Sequence, residues 1–164
     1  MAGSSTAELA LRPTRADDLG YVVAAESDAD NARYLAPSPR AEHEGFLGDP
    51  RQRHLIAEVE GRPVGFVLMR LHPEDRAVEL RRLAVTEKGR GYGRAALRAV
   101  ARTAFEEHGA HRLWLDVKPH NARALALYRS AGFVQEGLLR DALLQGERFE
   151  SLIVMSMLRD EWID

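Results

Sequence analysis

The sequence predicts a mixed α/β fold: a central, mostly antiparallel sheet of about seven strands with helices on both faces. Three observations point there. Apolar patterning orders the elements as strand, two helices, three strands, helix, strand, helix, two strands. The strand–helix–strand step from Ala77 to Val117 requires a right-handed parallel crossover. The flanking hairpins require antiparallel pairing, so a mixed sheet follows.

Each element has a local cause. Leu9 to Arg12 reads as a first strand, stopped by Pro13. Thr14 with Asp17 three places on resembles a capping box for a helix through Leu19, Val22, Val23 and Glu26. Residues 27–38 are polar and turn-rich, and Ser38-Pro39 reads as an N-cap and first turn of a helix to about Leu47. His54 to Val59 and Val64 to Leu71 form a hairpin around Glu60-Gly61-Arg62. Another strand covers Ala77 to Val85, and a long helix runs from Gly91 to about His108. Arg112 to Val117 is a short strand, and Asn121 to Ala131 is a helix closed by Gly132. Val134 to Leu139 and Phe149 to Met157 complete the sheet around a turn at Gln145-Gly146.

Composition bounds the function. The 164 residues suit one domain, read as residues 7–164 behind a flexible tail of residues 1–6. A net charge of −2 argues against a generic nucleic-acid or membrane binder. The absence of cysteine excludes a disulfide scaffold, a thiol nucleophile and a cysteine-held metal. The six histidines show no H-x₃-H or HExxH spacing, so no metal is expected. No apolar run approaches a membrane span and no signal pattern opens the chain, so a cytoplasmic protein is expected.

The most informative segment joins the strand ending Leu83-Ala84-Val85 to the long helix through Lys88-Gly89-Arg90-Gly91-Tyr92-Gly93-Arg94. Glycines let backbone N–H groups converge, and the first helical turn carries unpaired N–H groups and partial positive charge. Lys88, Arg90 and Arg94 oppose that dipole by about 0.3–1 kcal/mol each, which makes sense if an anion such as a pyrophosphate sits there. A tight turn with exposed arginines is the bland alternative. The P-loop ending Gly-Lys-Ser/Thr is absent. Gly91, Gly93 and Ala96 do satisfy G-x-G-x-x-A, and Asp116 falls where a ribose-binding acid would, so a dinucleotide-binding oxidoreductase is a rival.

The strand before the loop changes parity. Val78 and Leu80 are even-numbered, whereas Leu83 and Val85 are odd. One face can hold both sets only with an extra residue, a bulge near Arg81-Arg82. Burial on both faces is the alternative. Further on, Asn121 is an N-cap candidate, and Tyr128 seven residues later shares its helix face with Leu125.

Two motifs together carry a resemblance. Lys88-x-x-Gly91-x-Gly93 resembles the Q/R-x-x-G-x-G/A loop of the GNAT superfamily of acyl-CoA-dependent N-acyltransferases, with lysine in place of the usual Gln or Arg. Asn121-x-x-Ala124-x-x-Leu127-Tyr128-x-x-x-Gly132-Phe133 is similar to that family's second signature. The resemblance covers nearly the whole chain and implies a GNAT-like sheet. It implies an N-acetyltransferase in which acetyl-CoA is attacked directly by a primary amine, within a ternary complex. The backbone of Arg90 to Arg94, with Lys88, Arg90 and Arg94, would hold the pyrophosphate. The backbone of Leu83, Ala84 and Val85 would pair with the pantetheine arm, and Asn121 would bond it or its surroundings. Tyr128 resembles the family's general acid and Glu79 its strand base, although a salt bridge from Glu79 to Arg81 or Arg82 is an equal reading. The acceptor would be a small amine or a protein N-terminus, and a homodimer is common in the family. A non-catalytic acyl-CoA sensor remains the second reading.

Some polar residues stay open at this level. Glu26, Asp28 and Asp30 cluster where the family places acceptor specificity, and are either a lure for a cationic amine or a solvated loop. Tyr34 and Phe46 are acceptor-site walls or core, and Arg140 and Glu150 lie on the late strands near the expected cleft.

Overall fold

The computed structural model describes residues 7–164; the expected tail, residues 1–6, lies outside the described residues. The strands are β1 (Leu9–Pro13), β2 (Gln52–Val59), β3 (Arg62–His72), β4 (Ala77–Val85), β5 (Arg112–Val117), β6 (Val134–Gln145) and β7 (Arg148–Leu158). They form one sheet in the order β1-β2-β3-β4-β5-β7-β6. Among the described residues, only β4 and β5 pair in parallel, and every other neighbouring pair is antiparallel. A doubly wound dinucleotide-binding sheet needs several parallel strands. A single parallel pair therefore removes the oxidoreductase rival.

Helices α1 (Leu19–Ser27), α2 (Ala29–Ala32) and α3 (Arg40–Gly48) lie between β1 and β2 in the chain, while α4 (Tyr92–Arg102) and α5 (Ala122–Ser130) follow β4 and β5. They cover opposite faces. Leu97, Val100 and Phe105 pack with Val67, Met69, Leu80, Leu113 and Met155 in the larger core. Leu19, Val22 and Ala25 of α1 pack with Ile56, Phe66 and Ala84 in the smaller one. Each fully buried Phe or Leu contributes about 1.5–3 kcal/mol of transfer free energy. Among the described residues, no helix is long and apolar enough to cross a membrane.

Several boundaries differ from expectation. The first cap moves one residue: Asp18 Oδ2 accepts the Arg15 N–H at 2.7 Å, while Thr14 Oγ1 meets His54 Nδ1 at 2.8 Å. Pro39, not Ser38, is the N-cap of α3, because the Ser38 hydroxyl accepts from Arg82 instead. The polar stretch after α1 contains α2, capped by Asp28 Oδ1 on the Asp30 N–H. The long helix closes with a π turn over Thr103–Glu107. Strand β6 runs on to Gln145, because its pairing resumes at Leu143↔Glu150 after an irregularity in which Asp141 has φ 49°.

The bulge is present. Leu68 of β3 faces Arg82 and Met69 faces Leu80, so Arg81 is the unpaired extra residue of β4. Val78 and Leu80 consequently belong to the larger core, Leu83 packs against it, and Ala84 joins the smaller core on the opposite face. Gly65 permits the close approach of β3 here, since a Cβ on it would lie 2.4 Å from the Ala84 carbonyl oxygen. Pairing between β4 and β5 stops at Glu79↔Trp114. Beyond the bulge the two strands part, and the gap between their C-terminal ends opens towards α4 and α5.

Candidate functional site

That gap is a cavity of about 700 Å³. At one end lies the glycine loop. Gly91 is the N-cap of α4 with φ 76°, and Gly89 has the same φ, a region costly for residues with a Cβ. The N–H groups of Tyr92, Gly93 and Arg94 open the helix and have no turn behind them to accept their hydrogen bonds. Gly89, Gly91, Tyr92, Gly93 and Arg94 line the cavity, as does Lys88.

The three cations of the loop differ. Arg90 lies outside the cavity lining and pairs with Glu87 at 3.4 Å, while Glu87 also pairs with Arg62. The resemblance implied that Arg90 supplies charge to an anion; in the structure its side chain faces the Glu87 carboxylate. Arg94 donates to the Ser130 hydroxyl at 2.9 Å, and Lys88 Nζ donates to Asn31 Oδ1 at 2.6 Å. Both have neutral partners, so their positive charge is not cancelled. Partial burial lowers the pKa of Lys88 from its ordinary value, and nearby Arg123 adds to this, against the opposing pull of Asp28 and Asp30. An environment that penalises the charged lysine is one that a bound anion would relieve.

The gap-facing edge of β4 follows from hydrogen-bond alternation. Thr86 donates its N–H to Val64 of β3, so the amides of even-numbered Ala84 point to β3 and those of Leu83 and Val85 point into the gap. The Val85 carbonyl is taken by the Asn31 side chain at 3.3 Å. Leu83 and Val85 line the cavity and Ala84 does not. Leu83 and the Val85 N–H thus offer ladder groups to an extended ligand, and Ala84 offers none.

From the other wall, Asn121 and Tyr128 reach the cavity. Asn121 Oδ1 caps α5 by accepting the Ala124 N–H at 3.1 Å, which leaves its NH₂ group for another partner. Tyr128 packs against Phe133, with ring centroids 5.8 Å apart. Burial, with a smaller contribution from Asp116, pushes its phenol up to about 12. The hydroxyl is therefore fully protonated at neutral pH.

Glu79 is not brought into the cavity. Its carboxylate lies 3.5 Å from His72 Nε2 on β3, so the expected bridge to Arg81 or Arg82 is also replaced. Asp116, at the end of β5, does line the cavity. Burial raises its pKa, the charge of Glu79 raises it further, and Arg81 pulls it back.

A buried polar chain stands behind the β4 wall. Thr14 Oγ1, His54, His43 and Glu26 connect in sequence: 2.8 Å from Thr14 to His54, 3.0 Å between the two rings, then a short contact from His43 Nε2 to Glu26 Oε1. Glu26 Oε2 accepts from Arg82 at 2.8 Å, and Arg82 faces the cavity. Glu26 and His43 are fully buried. Burial, then the charges of His43 and Arg82, lowers His54 to about 4, so its ring is neutral. Both Glu26 oxygens are thus occupied, Oε1 by His43 and Oε2 by Arg82. Glu26 is therefore no surface lure for a cation. No periodicity in the chain marks this network, because its members lie on five separate segments.

The comparisons agree with the fold. Residues 18–133 match the sequence model described as the acetyltransferase (GNAT) family. Spermidine N(1)-acetyltransferase of Escherichia coli is 25% identical over 165 residues, covering 93% of this chain and 87% of the relative. An uncharacterized N-acetyltransferase of Mycobacterium tuberculosis is 38% identical over 94 residues, covering 56% of this chain and 59% of the relative. The crystal structure of spermidine N-acetyltransferase from Vibrio cholerae in complex with CoA and spermine superposes with a TM-score of 0.83 at 22% identity, covering 94% of this chain and 97% of that one.

Proposed function

The chain belongs to the acetyltransferase (GNAT) family, and from that premise we propose that it is an acetyl-CoA-dependent N-acetyltransferase acting on a primary amine in a ternary complex. One observation carries this reading: a gap between β4 and β5 that has an anion-ready glycine loop at one end and Tyr128 within it. The residues fit coenzyme A. The first N–H groups of α4, with Lys88 and Arg94, suit the pyrophosphate, and the edge amides of Leu83 and Val85 suit an extended amide-bearing arm.

The thioester supplies an acyl carbon with a thiolate leaving group. The protein must handle two protons. A lysine-like ammonium costs about 4–5 kcal/mol to deprotonate at neutral pH. Asp116, in the cavity and with a raised pKa, is the proton acceptor, directly or through water, and Glu79 tunes it from behind. As the C–N bond forms and the C–S bond breaks, Tyr128 donates to the departing sulfur. A tyrosine near 12 against a thiol of about 8.5 makes full transfer uphill by roughly 5 kcal/mol in these reference values. Its contribution is then mainly a hydrogen bond to the developing thiolate, with the proton restored from solvent.

The test is thiol release from acetyl-CoA with a panel of amines. The chain has no cysteine, so a thiol reagent reads only the product. Amine-dependent release supports the transferase; saturable CoA binding with no release across the panel supports the sensor. The expected homodimer has support in the edge strand β6 and its partner β7, which leave Leu138, Leu144 and Phe149 more than half exposed. Sedimentation velocity would show a monomer if that expectation is wrong.

A further inference from the structure

The acceptor end of the cavity carries a charge pattern that the coenzyme does not explain. Arg81, Arg82 and Asp116 line it on the side away from the glycine loop. Arg82 is pinned through Glu26 and through the Ser38 hydroxyl, both at 2.8 Å. Glu26 in turn is fully buried and already takes His43, Arg82 and, at 3.4 Å, the Ser38 N–H. No capacity is left in it for a substrate ammonium. Arg81 is the opposite case. Among the described residues no carboxylate comes within 4.0 Å of it, and its guanidinium stands 5.8 Å from the Phe46 ring centroid, where one face is shielded and the fork stays free.

Arg81 owes this position to the bulge. Without the extra residue its side chain would belong to a ladder position and be set by the sheet. Asp116 is near enough for the two charges to influence one another, yet they do not form an ion pair. A free cation and a free carboxylate set apart in one cavity are the complement of a zwitterion. A polyamine needs the reverse, several carboxylates along an extended path. Among the described residues, only Asp116 and Asp30 are acids that line the cavity without a salt-bridge partner, because Glu87 is paired with Arg62 and Arg90.

We infer that the acceptor is a small amine that also carries a carboxylate, with the carboxylate on the Arg81 guanidinium and the amino group towards Asp116. The inference rests on the acetyltransferase reading and names the substrate class for that site. An Arg–carboxylate fork binds through two parallel hydrogen bonds, and a site built for it rejects the analogue that lacks the anion.

The experiment compares amino acids with their own carboxamides, and with spermidine, by kcat/KM for thiol release; CoA affinity is measured separately by calorimetry. Amino acids are expected to exceed their carboxamides at least tenfold. Arg81→Gln should reduce that ratio to near one, and Arg81→Lys should retain part of it, since charge remains without the planar fork. A preference for spermidine, equal use of acid and amide, or preference for a peptide N-terminus over free amino acids overturns the inference while leaving the transferase standing. So does a ratio that survives Arg81→Gln in protein whose circular dichroism is unchanged. Failure to bind CoA, or binding without transfer to any amine, overturns both.

Discussion

Glu26 and Arg82 lie 56 residues apart in the chain and meet at 2.8 Å behind the cavity wall. The carboxylate is fully buried and the guanidinium nearly so, with 15% of its side chain exposed. Removing one partner would strand a charge. Glu26→Ala is expected to cost about 3–5 kcal/mol, far more than an exposed pair would. Urea denaturation would measure it, and a loss below about 1 kcal/mol would mean that water reaches Arg82 freely.

The same network makes the protein acid-sensitive. His54 titrates at about 4 in the folded chain against 6.5 when exposed. Between those values the unfolded chain binds the extra proton, so stability is full above about pH 6.5 and declines as pH falls towards 4. The loss attributable to this ring is up to about 3 kcal/mol. Thermal melts across that window should show the decline, and His54→Gln should flatten it. An unchanged slope in the variant would assign the acid lability elsewhere.

Lys88 sets a second pH dependence, in binding. Its pKa is lowered by burial and Arg123, and a bound pyrophosphate favours the charged form. Affinity for acetyl-CoA should therefore weaken from neutral to alkaline pH as the lysine loses its proton. Lys88→Met should weaken binding roughly tenfold, the order of one charge-assisted hydrogen bond, and remove the alkaline decline. Arg94→Ala should act in the same direction and reduce the dependence on salt.

Loss of the Tyr128 hydroxyl separates binding from turnover. Tyr128→Phe keeps the ring against Phe133 and removes only the donor. A kcat roughly 10²-fold lower with an unaltered Kd for acetyl-CoA is expected. Full turnover would show that solvent alone serves the leaving thiolate.

Much of this molecule is legible locally. Parity on either side of Arg81 revealed the bulge, because a period of two admits no other way to keep Val78, Leu80 and Leu83 on one core. Gly89, Gly91 and the following helix announced the tight turn into α4, because only a residue without a Cβ takes their φ readily. Asn121 announced its own cap. These signals act over a few residues.

The pairing of charges was not legible, for one shared reason. Glu79 and Asp116 are both acids on adjacent strands, yet only Asp116 lines the cavity, because β4 and β5 separate just beyond Glu79. Glu26 reads as a surface acid beside Asp28 and Asp30, yet it is sealed under α3 by His43. Arg90 reads like Arg94, yet Glu87 holds it. Chain order and periodicity determine which elements form and which face turns inward, since those depend on backbone geometry and neighbouring residues. Which carboxylate meets which cation depends on segments far apart in the chain, and only the packed sheet and its splayed strands decided that.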